Sequence, residues 1–97
     1  MLTTEARVAT ASASRYLQQL CKHWSHKFAV EFTPDRGRIP FADDRTALLE
    51  ATADTLTMRI EATDAETLAR MEGVVVEHLK RFSFREDLGD IHWTRAQ

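Results

Sequence analysis

Between Leu56 and Phe82 the apolar residues change period, and that change limits what the chain can fold into. Leu56, Met58, Ile60 and Ala62 alternate with Thr57, Arg59 and Glu61. Successive side chains of an extended strand point to opposite faces, so this stretch predicts a strand buried on one side. From residue 63 the spacing becomes helical, with Leu68, Met71, Val75, Leu79 and Phe82 on one stripe. Thr63 and Glu66 stand three apart and predict a capping box, because each side chain can bond the other's free backbone donor. A one-sided strand running directly into a one-striped helix makes the helix fold back over the sheet.

The rest of the chain repeats these two periods. Glu5 to Thr10 sets Ala6 and Val8 against Arg7 and Ala9 and predicts a first strand. Thr10 or Ser12 can cap a helix that runs to about Ser25, with Tyr16, Leu17, Leu20, Cys21 and Trp24 on its apolar stripe. Phe28, Val30 and Phe32 alternate as a second strand, and Pro34-Asp35-Arg36-Gly37 reads as a turn whose glycine takes a positive φ. Ile39 and Phe41 predict a short third strand, placed at an edge because Pro40 lacks a backbone donor. Thr46 to Thr52 predicts a fourth strand, joined by a turn near Ala53-Asp54 to the strand over Leu56–Ala62. Ser83 to Asp90 is a charged loop ending at Gly89, and Ile91 and Trp93 mark a last strand.

The order strand, helix, four strands, helix, strand makes an α+β protein. Its expected core is one antiparallel sheet of about five to six strands with both helices on one face. The order resembles half of the TATA-binding-protein fold, a likeness of architecture that carries no function. Arg7, Glu31, Thr57, Arg59 and Glu61 fall on the other face, which is expected to meet water.

Composition removes several functions. With 13 basic and 15 acidic residues the net charge is -2, without the basic excess expected of a nucleic-acid binder. No apolar run is long enough to span a membrane, and Thr3, Thr4, Glu5 and Arg7 interrupt any leader-like segment. One cysteine forms no internal disulfide. A single cytoplasmic domain over residues 1–97, able to bury a core without a structural metal, is the expectation.

Chemistry concentrates in the histidines. Cys21, His23 and His26 share one run, Leu20-Cys21-Lys22-His23-Trp24-Ser25-His26-Lys27. A helix turns about 100° per residue, which separates Cys21 from His23 by roughly 160° and prevents them from chelating one ion. His23 and His26 lie roughly 60° apart on one side, with His26 toward solvent. Cys21 reads as a small buried hydrophobe, since no base falls within its reach. His78 lies about 50° from the centre of the second helix's apolar stripe, so it is partly buried and needs a hydrogen-bond partner. If the helices are neighbours, His78 meets His23. Rings within about 5 Å of each other could share an ion, with His26 as a third imidazole and Glu77 or Glu86 as an oxygen ligand. Arg81 and Arg85 are candidates to clamp an anion, although Glu86 offers Arg85 an ordinary partner. Trp24 and Trp93 read as packing residues.

Glu5–Thr10, Tyr16–Lys27 and Glu77-His78-Leu79-Lys80-Arg81-Phe82-Ser83-Phe84-Arg85-Glu86, followed by Trp93, resemble a small bacterial family, domain of unknown function twenty-two eighteen. The resemblance covers nearly the whole chain. It implies His23, His26, His78, Arg81, Glu86 and Trp93 as motif positions; Trp24 departs from it, where phenylalanine is commoner. It also implies an association with siderophore or iron-uptake genes. Some members bear a name implying a dihydroxyheptenedioate aldolase, but such aldolases are large barrels and this chain is too short to form one.

Three expectations follow. The first is a non-enzymatic accessory protein with a histidine-centred site for a small ligand or a transition metal, iron or zinc. Its ligand-binding residues would be His23, His78, Arg81 and Glu86, and its metal ligands His23, His26 and His78. The second is a homodimerisation or protein-interaction module using the open sheet face, with structural histidines. The third is an enzyme with His78 as acid or base, ranked last because no nucleophile, base and orienting group are arranged together.

Overall fold

Alternating residues in the sequence become paired strands. The computed structural model describes residues 1–96. Its elements are β1 (Leu2–Ala9), α1 (Ala13–Trp24), β2 (Glu31–Phe32), β3 (Arg36–Ala42), β4 (Arg45–Ala51), β5 (Thr55–Ala62), α2 (Ala65–Phe82) and β6 (Thr94–Ala96). The strands form one sheet in the order β2-β3-β4-β5-β1-β6, antiparallel throughout. This is the expected α+β class. Among the described residues no helix is long and apolar enough to cross a membrane.

Strand β5 occupies the interior of the sheet, as its regular alternation implies. Met58 pairs with Ala6 on one side and Leu49 on the other, and Ile60 with Thr4 and Ala47. All six are buried. On the opposite face Arg59 lies between Glu5 and Leu48, and Arg7 and Glu31 are exposed. The charges there pair locally, Arg7 with Glu5 at 3.4 Å and Arg59 with Glu61 at 3.7 Å. Leu17 and Leu20 of α1 and Leu68, Val75 and Leu79 of α2 close the core, all with 1% exposure or less.

Several local expectations are corrected. Gly37 lies inside β3, not in the turn, and among the described residues only Gly89 has a positive φ, at 70°. Gly37 is needed for closeness: a Cβ there would lie 2.5 Å from Cys21 Sγ, so the sheet meets α1 where a side chain has no room. The second strand shrinks to Glu31–Phe32, since Phe28 accepts helix-like geometry instead and its N–H bonds Trp24 O at 2.9 Å. The cap of α2 is Asp64, whose carboxylate accepts from Thr67 N at 2.7 Å, replacing the Thr63–Glu66 box. At α1 the N-cap residue is Ser12, but its hydroxyl makes no cap bond; Thr10 Oγ1 accepts from Ser12 N instead. The last strand begins at Thr94, after Ile91–Trp93. Pro40 lies beyond the two rungs that β2 makes with β3, so that part of β3 is an edge as expected, and the register shifts between Pro40 and Ala42.

Two glutamates tie the elements together. Glu72 on α2 accepts from Thr4 Oγ1 of β1 at 2.7 Å and from Arg95 of β6 at 3.1 Å. Glu86 accepts from Thr10 Oγ1 at 3.0 Å and Tyr16 OH at 2.5 Å, joining the start of α1 to the segment after α2. These charge-assisted bonds exceed a neutral hydrogen bond in strength.

Candidate functional site

The seam between the two helices gathers the aromatic side chains. His23 stands in the last turn of α1, and His78 about one turn before the end of α2. Their ring centroids are 5.0 Å apart with planes at 45°. Trp24 is 4.9 Å from His78 and meets Phe41 edge-on at 5.0 Å, and Phe41 meets Phe28 at 5.1 Å. Such edge-to-face contacts orient rings as well as burying them. The shift of register at Pro40 falls in the same stretch of β3 as Phe41. Beside this wall opens a pocket of about 510 Å³, to which Met71 and Val74 of α2 add apolar surface and His26, Lys27 and Arg45 add cationic or polar groups.

The two imidazoles are set differently. His78 is half-buried, and its Nδ1 lies 2.7 Å from Val74 O. A carbonyl only accepts, so Nδ1 carries the proton, and in the neutral ring Nε2 is the acceptor. His23 is exposed, yet partial desolvation lowers its pKa from 6.5, helped by repulsion from His78, Arg81, His26 and Lys27. It is therefore neutral at pH 7, a form that both donates and accepts hydrogen bonds.

The remaining expected site residues are dispersed. His26 is exposed but lines the same pocket. Arg81 lies near enough to influence His23, while its guanidinium binds Glu77 at 2.7 Å. Glu86 does not join the histidines, because its carboxylate is held by Thr10 and Tyr16. Among the described residues no three His, Cys, Asp or Glu side chains gather where they could hold one metal ion, so His23, His26 and His78 do not form a three-imidazole centre. Cys21 is fully buried, and burial pushes its thiol up to about 11. Trp93 is partly buried against the core, and His92 is exposed. The sequence reading missed Lys27, Phe28, Phe41, Arg45, Met71 and Val74 as pocket residues. For these six the sequence held one indirect signal, Pro40, which marks an irregular edge beside Phe41.

An open antiparallel sheet with two helices on one face, and an aromatic and histidine pocket beside their seam, defines a small α+β protein with a concave site. The chain belongs to the family described as uncharacterized protein conserved in bacteria (DUF2218), whose model matches residues 5–94. It is similar to the protein PA4090 from Pseudomonas aeruginosa, solved by NMR: 44% identity, 97% of this chain and 96% of that one covered, TM-score 0.82. No curated protein matches the chain.

Proposed function

We propose that the protein binds a small molecule in the pocket of His23, Trp24 and His78 and acts as a non-enzymatic accessory protein. One observation carries this reading: His23 and Trp24, each about 5 Å from His78, border with it a concave, mainly apolar cavity of about 510 Å³. That size and lining, with a few polar groups to orient a ligand, suit small-molecule recognition. Covalent catalysis has little support, since the one thiol is buried and protonated. A small-molecule fragment screen followed by amide and indole NMR shifts tests the reading. Ligands should perturb His23, Trp24, Phe41 and His78 together, and Trp24→Ala should abolish binding. A screen whose binders all perturb other surfaces would overturn it.

A metal ion is a second form of the same site, favoured by the free Nε2 of His78 and the neutral state of His23. The ion would take two imidazoles and find its other ligands outside the protein. Lys27 and Arg45 oppose a bare cation there. Untagged protein that holds less than about a tenth of an equivalent of iron or zinc, with no binding on titration, would eliminate this form.

A further inference from the structure

The pocket's charge names its ligand more closely. Among the described residues 11 line it and none of these is acidic, although the chain carries 15 aspartates and glutamates. Two are permanent cations, Lys27 and Arg45, and three are imidazoles. Arg45 is held by Asp44 at 2.9 and 3.1 Å, but Lys27 enters no ion pair among the described residues. A cavity lined by one sign of charge raises the local concentration of the opposite sign. The Trp24–Phe41–Phe28 wall meanwhile offers ring faces and edges to a flat apolar body. We infer that the pocket selects a small aromatic carboxylate, its ring against Trp24, Phe41 and Phe28 and its anion toward Lys27 and the imidazoles. This rests on the small-molecule reading above.

Three probes with one ring system separate the two ideas: 1-naphthoate, 1-naphthalenemethanol and 1-naphthylmethylammonium. They share a body and differ in charge. Titration by NMR or calorimetry should rank them carboxylate, alcohol, ammonium, with roughly fivefold between neighbours, the value of one partly exposed ion pair. Lys27→Gln should remove most of the carboxylate's advantage and leave the alcohol unchanged. Raising salt from about 0.05 to 0.5 M should narrow the ranking, because exposed charges are screened. Equal affinity for all three with shifts at the pocket would overturn the anion inference and leave the small-molecule reading standing. No binding of any probe at about 5 mM, a threshold weaker than useful small-ligand recognition, would overturn both. A Gly-Gly-Phe peptide that outbinds 1-naphthoate would overturn the small-molecule assignment in favour of a peptide carboxy terminus.

Discussion

Gly37→Ala tests how tightly the first helix is pressed onto the sheet. The added Cβ would lie 2.5 Å from Cys21 Sγ, with Phe32 Cβ at 3.5 Å and Leu17 Cδ2 at 3.6 Å behind it. The last two are ordinary contacts, so the thiol alone carries the clash. Ordinary contact begins at 3.4 Å, so Sγ must retreat by about 0.9 Å. Cys21 is fully buried, and the movement has to be shared with α1 or with neighbouring core side chains. Overpacking of this kind costs about 1–3 kcal/mol. Reduced freedom of the unfolded chain returns about 0.4–1 kcal/mol, so the net loss is at most about 2.6 kcal/mol and is about 1–2 kcal/mol over the middle of both ranges. At about 4–8 °C per kcal/mol for a chain of this size, the melting temperature should fall by roughly 5–15 °C. Cys21→Ala alone should cost about 1 kcal/mol through lost burial. The double variant should then be more stable than the sum of the two losses by about 1 kcal/mol or more, the coupling expected of touching residues. Thermal and urea unfolding of the four proteins completes the cycle. Strictly additive losses would refute the close-approach argument and return Gly37 to a backbone role. A Gly37→Ala protein as stable as the wild type would refute it as well.

Other perturbations separate local causes. Asp64→Ala removes the bond to Thr67 N and should cost about 1 kcal/mol in urea unfolding, whereas Thr63→Ala should be nearly neutral. Glu86→Ala leaves the buried Tyr16 and the Thr10 hydroxyl without their acceptor and should cost about 1–3 kcal/mol, yet leave ligand shifts at His78 unchanged. Phenol titration of Tyr16, held high chiefly by its bond to Glu86, should move down in Glu86→Gln as absorbance is followed to alkaline pH. Because folding lowers the pKa of His23, the unfolded chain binds more protons near and below 6.5, so this contribution is present above that pH and is lost on acidification. The urea midpoint should therefore fall between about pH 7.5 and 5.5, and His23→Gln should flatten the fall.

The sheet and both helices were legible because their side-chain periods survive in the sequence. Leu56–Ala62 and Leu68–Leu79 show this best, where the buried residues are those of the pattern, and only Phe82 at the end of the stripe is half-buried. The failures have a common form: a local signal yielded to a tertiary contact. Pro34–Gly37 carries good turn chemistry, yet Gly37 is taken into β3 because Cys21 leaves room for nothing larger. Phe28 alternates with Val30 and Phe32, yet packing on Phe41 holds it in the turn after α1. Thr63 and Glu66 have the capping-box spacing, but Asp64 is the N-cap residue and its carboxylate makes the bond. The meeting of His23 with His78 was visible as a consequence of two stripes on one sheet face. The aromatic wall was not, since it depends on β3 bringing Phe41 to Trp24.

The helix ends sharpen the character of that meeting. The C-terminal end of a helix favours a protonated imidazole by about 0.3–1 kcal/mol. His23 sits at such an end beside Trp24 and Phe82, at 5.9 and 6.1 Å between ring centroids. The dipole alone would raise its pKa, but contact with those rings and the nearby cations lower it. The result is an uncharged ring in a positive surrounding, which can donate a hydrogen bond without losing a proton to a bound carboxylate. His78 complements it: its Nδ1 proton is committed to Val74 O, which leaves Nε2 as the ring nitrogen available to a ligand. The donor of His23 and the charge of Lys27 both suit a carboxylate, whose oxygens only accept.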